Sequence, residues 1–517
     1  MTDFNRPTST TSKAAQSALV QAFSVERLYG YRTISLSSEY AATILIAKNG
    51  TGKTTLLGAL DAFMKLQLSR LRDLPFERIR ARLRGVEEEL VVTHDDVLNF
   101  LRVPDDDDFV RFASRIGVET SSLFEYITDK PFQVPRGERP SPDDRVGMSL
   151  RRAFNYDSKE AEIALDTIRF KVFARQQNIF TAWQALQTVL EDVEVVYLPT
   201  YRRVELALSE ERSSDQYGRS TLPRFVVAAG SLYPGDIQFG LADIQARLRS
   251  LNNEIIGRSN NGYRKISANI INDLLDGSFA NQTYAPDDLP SKEELSLFFD
   301  RIRDGGARNR YEPVSAPNLD KLAATSDMPE ASRQFLSYFL GQLGQVIDTT
   351  RGAEVPVNTF ITVCNRYLSS EEPSTDLARF SESELFDGKA LRLNRKNLSV
   401  HVESLSTGRR ILLNALSSGE KQMISLFAKL FLYPKRKLIL IDEPELSLSI
   451  DWQTQILVDV MEAPLCEQVI AITHSPFVFE NELEPFARPL LVELEPDFAF
   501  DRHLADDLSS GFDDDAE

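Results

Sequence analysis

A short segment near the amino terminus combines glycine, lysine and threonine in a spacing suited to binding phosphate. It reads Ala-Lys-Asn-Gly-Thr-Gly-Lys-Thr-Thr over residues 47–55 and lies between two apolar segments. Gly50 and Gly52 let backbone N–H groups turn inward around an anion, because neither residue has a Cβ. Lys53 would place a positive charge on the β- and γ-phosphates. We therefore predict a strand, a phosphate-binding loop and a helix that together bind a nucleoside triphosphate.

The predicted nucleotide-binding residues cover this loop and the first turn of the helix. They are Asn49, Gly50, Thr51, Gly52, Lys53, Thr54 and Thr55. The Thr54 hydroxyl is placed to bind Mg²⁺, and the positive end of the helix dipole adds to the attraction for phosphate. Ala47 stands where the loop pattern has its first glycine.

Two apolar runs in the last quarter of the chain end in polar side chains that suit phosphate hydrolysis. The run at residues 438–441 is followed by Asp442 and Glu443. Asp442 suits a Mg²⁺ site, and Glu443 suits a base that polarises the attacking water. A second buried strand is predicted at residues 469–472, and His474 at its tip could sense the γ-phosphate through a hydrogen bond.

A serine-glycine motif lies just before the first of these runs. Leu-Ser-Ser-Gly-Glu-Lys-Gln at residues 416–422 opens a predicted helix over residues 422–431. Ser417 or Ser418 can cap that helix, and N–H groups near Gly419 form a second anion site. With Glu420, these residues complete the predicted nucleotide-binding set.

Composition narrows the class of protein. The chain has 517 residues, 42% of them hydrophobic, and a formal net charge of −18. The length predicts more than one compact unit, and the charge disfavours a protein that coats nucleic acid. Apolar runs are too short to cross a membrane, and the polar start shows no secretory signal, so we expect a cytoplasmic protein without membrane contact. The two cysteines offer neither a disulfide framework nor a metal site.

The predicted architecture is α/β, with an ATP site built from both ends of the chain. Residues 1–240 form an N-terminal lobe with the loop, and residues 390–495 form a C-terminal lobe. Residues 241–389 form a mainly helical insertion for partner or oligomer contacts, without the heptads of a long arm. Its helices are expected at residues 244–256, 266–275, 292–303, 331–349 and 358–368. Residues 496–517 form an acidic, disordered tail that serves solubility or docks a basic partner.

Two groups of arginines leave alternatives open. Arginines alternate with apolar residues over residues 78–84, which fits either a solvated edge strand or a strip that faces a polyanion or a partner. Arg202 and Arg203 follow a predicted strand and belong either to a surface loop or to a contact with phosphate or carboxylate across a subunit boundary.

The motifs in this order resemble ABC-type ATPases of the OLD, RecF and SMC branch. Fuller strings at residues 24–36, 49–57, 197–205 and 237–240 resemble the ATPase subunits of bacterial anti-phage systems, such as PtuA of Septu and the PARIS ATPase. The resemblance implies a P-loop ATPase head that hydrolyses ATP with Mg²⁺. It also implies a site shared by two copies, in which residues 417–420 of one copy face the loop of the other. A dimer would be the minimal unit, within a larger oligomer.

The chain departs from that resemblance in three places. Ala47 replaces a glycine, Ser449 stands where such ATPases often carry a histidine, and a Q-loop is represented only by Gln133. These departures allow slow hydrolysis, or ATP used as a structural switch. The nuclease domain of the OLD proteins has no room after His474, so we expect a separate nuclease or toxin effector, with nucleic acid bound through that effector.

Three functions fit these observations. The first is a sensor or regulatory ATPase of an anti-phage defence complex. The second is a RecF-like DNA-repair ATPase, which would show DNA-stimulated hydrolysis and a continuous basic surface. The third is the nucleotide-binding subunit of a transporter, which would need a compact site and a clear Q-loop. A neighbouring gene for a nuclease, toxin or reverse transcriptase would favour the first.

Overall fold

The computed structural model describes most of the chain. The described residues are 10–48, 50–129, 132, 144–199, 241–277, 284, 289–305, 317, 319, 328–369, 388–412, 415–446 and 448–495. The chain divides into two compact units. The first comprises Met1–Ile237 with Lys435–Glu517, and the second comprises Gln238–Pro434.

The strands and helices are numbered in chain order. The strands are β1 Val20–Leu28, β2 Arg32–Ser37, β3 Ala42–Ile46, β4 Arg78–Leu83, β5 Leu90–Thr93, β6 Val193–Leu198, β7 Lys389–Asn394, β8 Ser399–Ser404, β9 Arg410–Ile411, β10 Arg436–Asp442, β11 Cys466–Thr473, β12 Ala487–Pro489 and β13 Leu491–Leu494. The α-helices are α1 Thr10–Ala14, α2 Lys53–Met64, α3 His94–Phe100, α4 Asp107–Ile116, α5 Thr120–Asp129, α6 Arg145–Ala153, α7 Ser158–Phe173, α8 Gln177–Val189, α9 Leu241–Leu275, α10 Lys292–Gly305, α11 Glu330–Leu368, α12 Ser418–Leu432 and α13 Ile450–Glu462.

A parallel sheet in the first unit carries the predicted chemistry. Its strand order is β12-β3-β11-β10-β6, and each neighbouring pair is parallel. Apolar side chains of β10 and β11, such as Leu440 and Ile470, are fully buried, as expected of strands covered on both faces. The carboxyl ends of parallel strands meet at one edge, so the segments after β3, β10 and β11 lie at the same edge of the sheet.

An antiparallel sheet lies in the same unit and has the order β13-β2-β1-β4-β5. Strands β1 and β2 form a hairpin, with Val25 opposite Ile34. The sequence over residues 25–36 predicts one continuous strand, and this prediction is wrong, because a turn separates two strands there. Tyr29 and Gly30 have φ values of +55° and +82° there, a conformation in which a strand cannot continue.

Strand β4 contains the alternating arginines. Ile79, Ala81 and Leu83 are buried on one side, so the predicted period of two is confirmed. The strand lies between β1 and β5, not at the edge of the sheet. Its position is therefore different from the exposed edge that the sequence suggested.

Several of these arginines are neutralised by nearby carboxylates. The Nε atoms of Arg78 and Arg80 lie 3.1 and 2.7 Å from carboxylate oxygens of Glu26. Arg84 forms an ion pair with Glu467. Arg78 also pairs with Glu77 and Arg80 with Glu89. Because carboxylates offset the charges of these three arginines, this strand does not present the free basic strip that a polyanion would need.

Two long helices dominate the second unit. Helix α9 has 35 residues and α11 has 39, which corresponds to lengths of about 52 and 58 Å. Tyr338 donates a hydrogen bond to Asp273, and Val346 lies beside Gly262, so the helices run antiparallel. The predicted breaks at residues 257–265 and 350–357 are wrong, because both helices continue through them. Pro356 lies inside α11.

A β-hairpin and the serine-glycine helix complete the second unit. Strands β7 and β8 pair antiparallel, and β9 extends them. Helix α11 packs against both β7 and α12. Residues 390–434 therefore group with the helical insertion, whereas the sequence prediction placed them with the C-terminal lobe. In the described part of the chain, no helix combines the length and the apolar character needed to cross a membrane.

Candidate functional site

The glycine-rich loop follows β3 and adopts the conformation that its glycines predict. Gly50 and Gly52 have φ values of +83° and +94°, which L-residues with a side chain rarely adopt. A Cβ on Gly52 would lie 3.5 Å from Ile34 Cδ1, so backbone conformation and not space requires glycine there. Helix α2 begins at Lys53 directly after this turn.

Lys53 lies inside the protein and faces a residue almost four hundred positions away. Its side chain is buried, and its Nζ atom lies 2.6 Å from Glu443 Oε1. A buried ammonium group needs an anionic partner, and Glu443 supplies one. The structure therefore joins the two residues that the sequence assigned to phosphate binding and to water activation.

The two consecutive carboxylates at the end of β10 differ in their surroundings. Asp442 is 1% exposed, whereas Glu443 is only half-buried. The Glu443 N–H donates to the carbonyl oxygen of Ile472 on β11 (2.9 Å). Glu443 has a φ of +54°, which costs about 1–2 kcal/mol in a residue with a side chain. Such a conformation persists only where neighbouring strands hold it, and it turns Glu443 toward Lys53.

His474 follows β11 and is held by an unpredicted residue, Glu445. The backbone N–H of His474 donates to Glu445 Oε1 (3.1 Å), and its Nδ1 atom lies 2.9 Å from the same oxygen. Nδ1 is also 3.9 Å from Glu443 Oε1. The structure thus brings Lys53, Glu443 and His474 together, as their positions after neighbouring strands predict.

Arg32 lies beside the loop and was also not predicted from the sequence. Arg32 Nη1 donates to the carbonyl oxygen of Gly50 (3.2 Å), and its guanidinium lies 5.4 Å from the ring centres of Tyr29 and Tyr31. Tyr29 is about half exposed. A cation and an exposed aromatic ring next to a phosphate-binding loop can contact a phosphate or stack on a base. The signal in the sequence was the Tyr-Gly-Tyr-Arg string, which indicates a turn.

The serine-glycine motif lies in the second unit. Ser417 caps α12: its side chain accepts from the Glu420 N–H (3.3 Å), while Glu420 accepts from the Ser417 N–H (2.7 Å). Helix α12 begins at Ser418, four residues before the predicted start. Lys389 Nζ lies 2.8 and 3.0 Å from the two Glu420 oxygens. Lys389 therefore offsets a negative charge that would otherwise weaken anion binding at the start of this helix.

The remaining predicted residues differ in how they are placed. Thr51 donates from its side chain to the Lys48 carbonyl oxygen (2.8 Å), and Thr54 and Thr55 lie half-buried in the first turn of α2. Gly419 is buried in the first turn of α12. The predictions for Asn49, Gln133, Arg202, Arg203 and the tail at 496–517 fall outside the described residues, as does the side chain of Ser418.

These residues fit a magnesium nucleotide better than a metal bound by protein alone. Within the described ranges, no group of three or more His, Cys, Asp or Glu residues could hold a metal ion. Mg²⁺ usually takes one or two protein ligands and completes its shell with phosphate oxygens and water. The Thr54 hydroxyl and the Asp442 carboxylate are the donors of this kind beside the loop.

Comparisons with known proteins give a partial family match and distant structural similarities. Residues 271–480 match the model of a family described as "AAA domain, putative AbiEii toxin, Type IV TA system". Comparison with curated protein sequences gives no significant match. Among solved structures, a similar chain is an Smc head domain with an extended coiled coil bound to the C-terminal domain of ScpA, derived from Pyrococcus furiosus. It is 11% identical with a TM-score of 0.34, and the alignment covers 95% of this chain and 98% of that chain.

The fold and the site define the class of protein. A glycine loop joins β3 to α2, and two carboxylates follow the strand β10 of the same parallel sheet. This arrangement is that of an α/β P-loop ATPase. The family match at residues 271–480 includes the serine-glycine motif and His474, excludes the glycine loop, and supports ATPase function.

Proposed function

We propose that this chain binds ATP with Mg²⁺ and hydrolyses it at the edge of the parallel sheet. The observation that carries the proposal is the 2.6 Å contact between Lys53 Nζ and Glu443 Oε1, beside the paired glycines of the loop. Phosphate binding and water activation need a cation and a base within a few ångströms of each other. Here both are buried or half-buried on adjacent secondary-structure elements.

Each residue has a separate role in the proposed reaction. Lys53 moves from Glu443 to the incoming phosphate oxygens, because their charge is greater than that of one carboxylate. Glu443, released from the ion pair, then accepts a hydrogen bond from the attacking water. His474 reaches the γ-phosphate from the neighbouring strand end through a bridging water. Thr54 and Asp442 would hold Mg²⁺, which would neutralise charge on the β- and γ-phosphates.

The test is Mg²⁺-dependent ATP hydrolysis by the full chain and by Glu443→Gln. The substitution keeps the shape and removes the charge, so hydrolysis should fall by about a hundredfold or more. ATP should bind at least as tightly, because the neutral amide competes less for Lys53. Glu480→Gln, an exposed site in the same unit, is the control and should hydrolyse ATP normally. Wild-type turnover that is absent, or unaffected by Glu443→Gln, would refute the proposed base.

The biological role that we propose is that of a sensor or regulatory subunit in a cytoplasmic anti-phage defence complex. A separate nuclease or toxin would be the effector and would contact any nucleic acid. The motif strings at residues 24–36 and 197–205 support this role through their resemblance to defence ATPases. The matched family's description, which names a toxin–antitoxin system, is compatible with it. The ion-paired arginines of β4 give less support to a RecF-like repair ATPase.

Phage infection tests this role directly. Cells that carry the gene with its native neighbours should plate phage less efficiently than cells that carry the same locus with Lys53→Ala. The same locus lacking only the neighbouring effector gene should also lose protection. Equal plating in all three strains would argue against defence, and hydrolysis stimulated by DNA in the isolated chain would favour repair.

A further inference from the structure

Glu445 is a buried carboxylate that the proposed reaction does not yet use. It lies in the turn after β10, two residues beyond Glu443, and is 6% exposed. Both polar contacts of its Oε1 atom come from His474: the backbone N–H at 3.1 Å and Nδ1 at 2.9 Å. Its Oε2 atom is buried and has no hydrogen-bond partner within the described ranges. The contacts with His474 are thus the main compensation for burying this carboxylate.

The contact with Glu445 fixes which nitrogen of His474 carries a proton. An ionised carboxylate only accepts hydrogen bonds, so Nδ1 must be the donor. A free imidazole side chain in water prefers the proton on Nε2. Glu445 therefore selects the less common tautomer, and it leaves Nε2 on the opposite side of a ring that is half exposed.

Glu443 does not perform this task. Its Oε1 atom lies 3.9 Å from His474 Nδ1, beyond hydrogen-bond distance, and 2.6 Å from Lys53 Nζ. The two glutamates of the Asp-Glu-Pro-Glu string are therefore divided between two partners. Glu443 faces the lysine of the loop, and Glu445 faces the histidine.

A glutamine on α13 holds the two segments that carry this pair. Gln453 Oε1 accepts from the Ser475 side chain (2.9 Å), next to His474. Gln453 Nε2 donates to the carbonyl oxygens of Leu448 (3.1 Å) and Glu445 (3.4 Å). One side chain thus spans the loop after β10 and the loop after β11. Gln453 therefore supports the geometry of the Glu445–His474 pair.

We propose that Glu445 is a positioning residue, which holds His474 with Nδ1–H bonded to Glu445 Oε1 and leaves Nε2 as the acceptor nitrogen of the ring. This proposal rests on the function proposed above, in which the neutral ring reaches the γ-phosphate through a water that donates to Nε2 and to a phosphate oxygen. The orientation of the ring itself is independent of nucleotide. Glu445 acts on the reaction only through His474.

The first test observes the tautomer in the full chain without nucleotide. The sequence has four histidines, so selective ¹⁵N-histidine labelling gives few signals, and His474→Ala identifies that of His474. At a pH where the ring is neutral, the wild type should show the Nδ1–H tautomer, and Glu445→Ala should shift it to Nε2–H. Glu445→Gln, which keeps the shape and an acceptor oxygen, should retain Nδ1–H. An Nε2–H tautomer in the wild type, or no change in Glu445→Ala, would overturn the proposal.

The second test asks whether Glu445 acts through His474. Glu445→Ala and His474→Ala should each lower kcat by about tenfold or more with the ATP dissociation constant changed less than about twofold, and the double variant should lose no more than either single one. Glu445→Gln should restore much of the rate, and Glu480→Ala is the control for removing an exposed glutamate. If the decrease in kcat of the double variant equals the product of the two single decreases, the residues act independently and the proposal is contradicted. If the wild type hydrolyses no ATP, the proposed function fails, while the tautomer still decides the role of Glu445.

Discussion

The contact between Lys53 and Glu443 links phosphate binding to water activation through one charge. We expect nucleotide binding to draw the ammonium away from the carboxylate at 2.6 Å and toward the phosphate, whose negative charge is greater. The strained backbone of Glu443 (φ +54°) keeps its carboxylate close to the loop. In the proposed reaction, ATP binding and release of the base are therefore one event at the residue scale.

Replacing Lys53 by alanine should therefore remove tight ATP binding. The loop would lose a buried cation and would retain the Glu443 carboxylate, which repels phosphate. We expect the dissociation constant to rise by about a hundredfold or more, measured by isothermal titration with Mg²⁺. Lys435→Ala is the matched control: that lysine is exposed just before β10, at the opposite end of the strand from Asp442. Unchanged affinity in Lys53→Ala would show that phosphate binds elsewhere.

Functional residues at the ends of buried strands were predictable from the sequence, because they are polar and follow directly after apolar runs. Asp442 and His474 follow long apolar runs, where a polar side chain has little reason to occur unless it reaches an edge with a function. Glu445 belongs to the same string as Glu443, yet spacing alone does not show which of two nearby carboxylates turns inward. Only the positive φ of Glu443 separates their directions.

At the scale of elements, the hairpin of β1 and β2 shows where a pattern of apolar residues fails. Apolar and polar residues are mixed on both sides of the Tyr-Gly-Tyr turn and fit one strand, so the pattern did not reveal the reversal. The turn depends on positive φ values at Arg27, Tyr29 and Gly30, and only the glycine predicts such a value. The turn places Arg32 beside Gly50. Because the sequence analysis did not predict this turn, it also did not predict Arg32 as a residue of the site.

The predicted breaks in the two long helices were wrong for a different reason. Gly257, Gly262 and Pro356 lie inside them, and each lowers the intrinsic helix propensity. Packing between α9 and α11 outweighs that loss, and propensity read along one helix cannot include it. Gly262 shows the compensation, since a Cβ there would come within 2.5 Å of a Val346 methyl group. The glycine permits the close approach of the two helices.

Two glycines of α9 should therefore respond to alanine with opposite signs. Gly262→Ala should destabilise the chain by about 1–3 kcal/mol, because Val346 branches at Cβ and its Cβ would itself be only 3.2 Å from the new methyl group. Gly257→Ala has nothing within 4 Å of the new Cβ and should stabilise by about 0.5–1 kcal/mol through helix propensity. Urea unfolding followed by circular dichroism measures both. Stabilisation by both substitutions would mean that the helices are not packed closely at Gly262.

At the scale of the whole molecule, the predicted nucleotide-binding residues belong to different compact units. Lys53, Glu443 and His474 lie in the unit formed by the two ends of the chain, and Ser417 and Glu420 lie in the other. The second group is a helix start with its own cap and with Lys389 beside its carboxylate. We propose that this helix start binds the γ-phosphate held by a second copy, so that ATP joins two chains.

Ser417 allows this proposal to be tested without disturbing the helix. Asparagine and aspartate both cap helices as well as serine does, so Ser417→Asn and Ser417→Asp should preserve α12 and differ only in charge. Aspartate would place a negative charge against the γ-phosphate of the partner copy, and like charges in an interface cost several kcal/mol. With Mg²⁺ and a non-hydrolysable ATP analogue, we expect Ser417→Asp to weaken dimerisation by about tenfold or more relative to Ser417→Asn. Mass measurement in solution over a concentration series gives the dimer dissociation constant.

Nucleotide binding to the single chain must be measured beside dimerisation, because it separates two explanations. If the second copy supplies the contact, both variants should bind nucleotide like the wild type at concentrations where all three are monomeric. If Ser417 contacts the nucleotide of its own chain, the aspartate variant should bind more weakly even as a monomer. A wild-type chain that stays monomeric with the analogue and Mg²⁺ would refute the shared site. Hydrolysis would then have to be completed by Lys53, Glu443 and His474 of one chain.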